Sequence, residues 1–173
     1  MKSVLAILLG SALLAGAAQA QETNAQVAVM TDWSVFAEPK SGTPTECFAV
    51  SAPKESLNTR DGQPVSVRRG EVRLFVTYSK GQKVGTISFT GGYPFAEKST
   101  VSVAVGSDTF ELFTDGEFAW TADAAQDEKL MAVLKKGTNA VLTARSGKGT
   151  QTQDTFSLRG FTAATEDAAK RCQ

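Results

Sequence analysis

The sequence predicts a mostly β domain: an antiparallel β-sandwich of about nine strands with two short helices, the second at the C-terminus. Three observations carry this expectation. Apolar and polar residues alternate over many short stretches, turn-forming Gly, Pro, Asn and Asp separate those stretches, and only two segments show helical spacing. Regular alternation of strand and helix units, the mark of a parallel α/β sheet, is missing.

The opening segment is set aside from the fold. Met1-Lys2-Ser3 and the uncharged stretch from Val4 to Ala18 match the basic and apolar regions of a secretory signal, and Ala18-Gln19-Ala20 supplies the small residues a signal peptidase reads. The expected cut falls between Ala20 and Gln21. Residues 1–20 are then a signal peptide and residues 21–173 a single domain of roughly 150 residues, enough for one hydrophobic core. The apolar run is shorter than the ~20 residues a membrane span needs, no later segment is long and apolar enough to be one, and no cysteine stands at the expected new N-terminus, so neither a span nor a lipid anchor is expected. The expected residence is the periplasm or the exterior.

Strands are expected at Asp32–Ala37 and Glu46–Ser51, followed by a surface loop over Ala52–Pro64, where Pro, Asn, Asp and Gly cluster. Glu71–Tyr78 is the clearest strand: Val72, Leu74, Val76 and Tyr78 share one face, and Arg73 and Thr77 the other. Val84–Thr90 follows. Val101, Val103 and Val105 alternate with Ser102 and Ala104, and the turn at Gly106-Ser107-Asp108 leads into Phe110 and Leu112, which predicts a hairpin. A second tight turn at Asp115-Gly116 leads to Phe118-Ala119-Trp120, and the last strands are Asn139–Arg145 and Gln151–Leu158.

The first helix is expected over Ala124–Lys136, with Asp123 as N-cap, Gln126 in a capping-box position and Gly137 as the stop. Asp127 and Glu128 suit its positive end, Lys135 and Lys136 its negative end, and Leu130, Val133 and Leu134 form an apolar stripe that makes the helix a lid on the sheet. The second helix spans Thr162–Cys172. There Phe161, Ala164, Ala168 and Cys172 recur at helical spacing, so Cys172 points inward toward the strand of Cys47. These are the two cysteines of the chain, and in an oxidising compartment they are expected to form one disulfide.

Charge excludes some functions. Lys plus Arg equal Asp plus Glu at 18 each, so nothing steers the chain toward nucleic acid or an anionic membrane, and partners are selected by surface shape. Histidine is absent, which removes Ser-His-Asp and Cys-His nucleophiles and His-containing zinc sites; no catalytic residue, metal or cofactor is expected. Ser51-Ala52-Pro53-Lys54 has the spacing of an acyl-serine motif, yet it sits at a strand end without the usual helix. Glu111 and Glu117 could pair across a hairpin as acid/base carboxylates do, but solvated strand charges account for them. Gly147-Lys148-Gly149-Thr150 and Gly81-Gln82-Lys83-Val84-Gly85 read as turns, because the spacing and following helix of a phosphate-binding loop are missing.

Four residues are the candidates for partner binding. Arg68 and Arg69, with Arg73 nearby, form a small basic cluster suited to an anionic partner or simply to a solvated strand face. Tyr93 and Phe95 lie in Gly91-Gly92-Tyr93-Pro94-Phe95, where two glycines and a proline hold two rings in a loop, either plugging the end of the sandwich or offering an aromatic contact. Trp33 and Trp120 are expected in the core. The leading expectation is a non-enzymatic exported protein that recognises a macromolecule, a protein or an envelope component, through its surface. The alternatives are a small-molecule or glycan carrier with an apolar pocket lined by Trp120 and Leu134 under the first helix, and a carboxylate-based hydrolase.

Taken in order, several segments resemble the invasion-associated locus B (IalB) family of exported alphaproteobacterial proteins. The likeness runs from Asp32-Trp33-Ser34-Val35 through Cys47, Ser51-Ala52-Pro53-Lys54, Val67-Arg68-Arg69-Gly70 and Phe89-Thr90-Gly91-Gly92-Tyr93-Pro94-Phe95. It continues through Phe110-Glu111-Leu112-Phe113 and Asp154-Thr155-Phe156-Ser157-Leu158 to Gly160-Phe161-Thr162-Ala163-Ala164 and Cys172. The resemblance implies an exported β-sandwich-like domain, linked in pathogenic members to host-cell invasion or colonisation, with no enzymatic activity assigned and no catalytic residues to carry over. Many relatives carry a second cysteine pair in the central hairpin, whereas here Thr114-Asp115-Gly116-Glu117-Phe118 fills that stretch.

Overall fold

The computed structural model describes residues 25–173, so the expected signal peptide and its cut lie outside the described residues. The chain forms β1 (Gln26–Met30), β2 (Trp33–Glu38), β3 (Glu46–Ser51), β4 (Glu55–Arg60), β5 (Gln63–Pro64), β6 (Arg73–Ser79), β7 (Thr86–Thr90), β8 (Thr100–Val105), β9 (Asp108–Asp115) and β10 (Phe118–Trp120). Helix α1 (Ala124–Leu134) follows, then β11 (Asn139–Arg145), β12 (Gln151–Ser157) and helix α2 (Phe161–Arg171). The mostly β, antiparallel architecture with two helices, one of them C-terminal, is as the sequence predicts.

Among the described residues, all twelve strands belong to one open sheet, in the order β1-β2-β3-β6-β7-β10-β9-β8-β11-β12-β4-β5. Strands two and ten of that order nevertheless meet. The Trp33 indole of β2 donates to the Ser157 carbonyl of β12 at 2.9 Å, and the Asp32 amide donates to the Arg159 carbonyl at 3.2 Å. Phe89 of β7 meets Phe156 of β12 edge-to-face, with centroids 6.1 Å apart. The sheet thus folds over onto one core, which gives it a sandwich-like interior. Leu74, Val76 and Tyr78 of β6, with Val101, Val103 and Val105 of β8, all point into that core.

The sheet holds three more strands than the nine expected, and the proposed loop over Ala52–Pro64 is where two of them lie. β4 pairs with β12 from Glu55↔Thr155 to Thr59↔Gln151, and β5 pairs back on β4. β4 escapes periodicity because it lies close to the sheet edge and buries neither face, so its register rests on backbone ladders and polar contacts. The turn Asp61-Gly62 between β4 and β5 has positive φ at both positions, 51° and 76°, the geometry of a tight hairpin. β1, the third addition, pairs with β2 at the other edge, and Val29 there is exposed.

α1 begins as expected, with the Asp123 carboxylate accepting from the Gln126 amide at 2.9 Å. Leu130 and Leu134 enter the core. Asp127 does not serve as a solvated dipole partner. It is 5% exposed, and its Oδ1 accepts from the Ile87 amide at 2.8 Å and the Thr121 hydroxyl at 2.7 Å, tying α1 to β7. Burial raises the pKa of this carboxyl, against the lowering effect of those two hydrogen bonds.

α2 packs Phe161, Ala164, Thr165 and Ala168 inward, and the Phe161 ring meets Trp33 edge-to-face at 4.9 Å. Cys172 at its end is bonded to Cys47 of β3, closing a loop with a sequence separation of 125. Loop entropy for such a closure stabilises the domain by up to about 5 kcal/mol. Among the described residues, no helix is long and apolar enough to cross a membrane.

Candidate functional site

At the end of β7 away from the disulfide, five chain segments converge on a cleft of about 610 Å³. Arg60 comes from the end of β4, Arg68 and Arg69 from the segment before β6, and Tyr93 and Pro94 from the loop after β7. Glu117 comes from the β9–β10 turn, and Lys148 from the turn between β11 and β12. Three of the four partner-binding candidates, Arg68, Arg69 and Tyr93, therefore line one site.

Their roles differ. The Arg69 side chain is 9% exposed and forms a two-pronged pair with Asp154 of β12, whose side chain is fully buried: Nη1 to Oδ1 at 2.8 Å and Nη2 to Oδ2 at 2.6 Å. Arg69 also donates to the Gly91 carbonyl at 2.9 Å, and Ser56 of β4 donates to Asp154 at 2.6 Å. This network spans β4, β12 and the end of β7, so Arg69 is part of the floor. Arg68, next to it, is exposed, and so is Lys148. Neither has an ion-pair or hydrogen-bond partner among the described residues. Arg60 makes a single side-chain hydrogen bond, to the Thr150 hydroxyl at 2.8 Å.

The aromatic loop is fixed from below. Phe95 is buried and packs between Phe89, tilted with centroids 6.0 Å apart, and Tyr93, edge-to-face with centroids 5.3 Å apart. It plugs the sandwich, as one of the two sequence readings proposed, and offers no face to the cleft. Tyr93 is half-buried; its hydroxyl shares a 2.5 Å hydrogen bond with Thr152, and the Arg69 guanidinium lies 5.1 Å from its ring centre. Burial raises the phenol pKa, opposed by the Thr152 hydrogen bond and the Arg69 charge. Gly92 makes the loop possible: it has φ +73°, and a Cβ there would stand 2.6 Å from the Gly70 carbonyl oxygen.

Other sequence candidates go elsewhere. Arg73 pairs with Glu71 and does not line the cleft. The Ser51 hydroxyl donates to the Asp32 carbonyl at 2.7 Å, and Lys54 pairs with the Asp32 carboxylate at 2.6 Å, so each is engaged by Asp32. The Lys54 hydrogen bond is the main cause holding the Asp32 pKa below its ordinary value. Glu111 lies opposite Ser102 on β8, and Glu117 is in the β9–β10 turn; both are exposed. Leu134 is in the core, and the groove beside α1 is lined by Tyr78, Lys83, Glu128 and Met131 rather than by Leu134 and Trp120.

Trp120 is not a core residue. Ala119 takes the inward position on β10, which turns Trp120 and Phe118 to the outer face, where Phe113 of β9 lies opposite Trp120. The three rings run nearly parallel, at 25° and 32°, with centroids 5.7 Å apart, and Phe113 and Phe118 are 49% and 42% exposed. Sequence reasoning misses this patch, together with Arg60 and Lys148 in the cleft and Asp154 beneath it. The signal for Asp154 was present, since it shares period-2 parity with buried Thr152 and Phe156. Among the described residues, no three carboxylate or thiol side chains gather as a metal-binding group.

The family model described as invasion associated locus B (IalB) protein matches residues 33–169. The chain belongs to the IalB family. Among solved structures, this IalB family member is similar to the crystal structure of invasion associated protein b from Bartonella henselae. The two share 16% sequence identity with a TM-score of 0.56, over 83% of this chain and 95% of that one. At that identity the likeness concerns the fold. No curated protein sequence matches this IalB chain.

Proposed function

We propose that this IalB family member is an exported, non-enzymatic protein of the envelope or periplasm that recognises a macromolecular partner through the Arg68–Tyr93 cleft, in host interaction or envelope maintenance. The observation that carries the reading is the contrast inside the cleft. Arg69, Asp154, Tyr93 and Thr152 satisfy one another and fix the floor, whereas Arg68 and Lys148 stand exposed and unpaired above it. Unpaired cations on a preorganised concave surface steer and orient a partner without performing chemistry. Export is supported by the basic and apolar opening segment and by the Cys47–Cys172 bond, which suits an oxidising compartment.

The test is affinity capture from envelope extract with the intact protein, Tyr93→Ala, and the double variant Arg68→Glu/Lys148→Glu. The intact protein, recovered from the periplasmic fraction with Gln21 at its N-terminus, retains a species that one or both variants lose. Equal recovery of every captured species by all three proteins would remove the cleft from the proposal.

A further inference from the structure

Resting on the recognition reading, we infer that the cleft takes a phosphate monoester carried on a larger body. Charge balance selects the group. Asp154 neutralises Arg69, Glu117 offsets one of Arg60, Arg68 and Lys148, and two positive charges are left over in the cleft. A phosphate monoester carries about −1.5 to −2 at neutral pH, whereas a carboxylate carries one charge and leaves a cation unmatched. The donors suit it too: two guanidinium forks, from neighbouring stretches of the chain, and one ammonium, from a distant turn, reach one cavity, and none is held by a carboxylate.

Volume and wall chemistry supply the larger body. A cleft of about 610 Å³ is far roomier than one phosphate group requires and falls in the range of small-molecule sites. Val67, Tyr93 and Pro94 give it an apolar wall beside the cations. A sugar or lipid glycerol bearing the phosphate would lie against that wall while its oxygens meet Arg60, Arg68 and Lys148.

The experiment titrates the protein with glucose 1-phosphate, glucose, inorganic phosphate and hexaglutamate, followed by calorimetry and amide NMR shifts, and measures retention on vesicles of phosphatidic acid against phosphatidylcholine. Glucose 1-phosphate binds saturably, with shifts centred on Arg60, Arg68 and Lys148, and glucose does not. Arg68→Ala and Lys148→Ala each weaken binding about tenfold with an unchanged unfolding midpoint, because both side chains are exposed and unpaired. Retention on phosphatidic acid alone identifies a lipid as the body that carries the phosphate, whereas inorganic phosphate binding as tightly as the sugar phosphate would show that the wall adds nothing and would overturn the larger body. The inference is overturned if glucose 1-phosphate, inorganic phosphate and phosphatidic acid all fail to bind, if neither variant weakens binding, or if hexaglutamate binds as tightly as the sugar phosphate. Partner capture lost in Tyr93→Ala but kept in Arg68→Ala and Lys148→Ala would sink the phosphate while sparing the recognition reading.

Discussion

The two ends of strands β6 and β7 are closed by opposite chemistries. Near Tyr78 and Thr86 the closure is apolar and covalent: Cys47 is bonded to Cys172, and the Gly81 amide donates to the Cys172 carbonyl at 2.9 Å. Near Arg73 and Thr90 the closure is polar: Arg69 and Asp154 meet under the cleft, with Ser56 and Gly91 completing the network. A covalent staple stabilises whatever the state of its neighbours. A buried ion pair stabilises only while both partners are present, and in exchange it positions charge beside a surface that can use it.

Breaking the staple has the largest expected effect. The intact protein shows no titratable thiol until it is reduced, and Cys47→Ser/Cys172→Ser lowers the unfolding free energy by up to about 5 kcal/mol in denaturant titrations. An unchanged midpoint would mean that the closed loop leaves the unfolded chain as free as before. At the cleft end, Arg69→Met leaves the Asp154 carboxylate buried and uncompensated, at an expected cost of about 3–5 kcal/mol. Adding Asp154→Leu to it recovers most of that loss, because an apolar pair of similar volume carries no desolvation penalty. If the double variant is no better than the single one, Asp154 matters through Ser56 rather than through Arg69.

The two ends also differ in how well the sequence exposes them. β3 and β11 are read to the residue, since each buries every second side chain, and the helical spacing of Phe161, Ala164, Ala168 and Cys172 aims the cysteine inward. The cleft is legible only in part. Arg68, Arg69 and Tyr93 stand in suggestive local sequence, but Arg60 and Lys148 join them only through pairing of β4 with β12, and β4 has no apolar periodicity to announce it. Nor can local sequence separate Arg69 from Arg68, because the partner that makes Arg69 structural is 85 residues away. Trp120 fails for a different reason: hydrophobicity favours burying it, and register gives the inward position to Ala119.

Asp127 provides the smallest test, on the contact between α1 and β7 that belongs to neither closure. Burial raises its pKa in the folded protein above the value of about 4 it has when unfolded. Between those two values the folded state binds more proton than the unfolded one, so stability falls as pH rises through the window and is flat above it. Asp127→Asn keeps an acceptor for the Ile87 amide and the Thr121 hydroxyl but does not titrate. The stability difference between variant and parent should therefore shift in favour of the variant as pH climbs from about 4, measured by denaturant midpoints at constant ionic strength. A shift in the opposite direction would show that the hydrogen bonds from Ile87 and Thr121 outweigh desolvation and that the ionised carboxylate is the form the fold prefers.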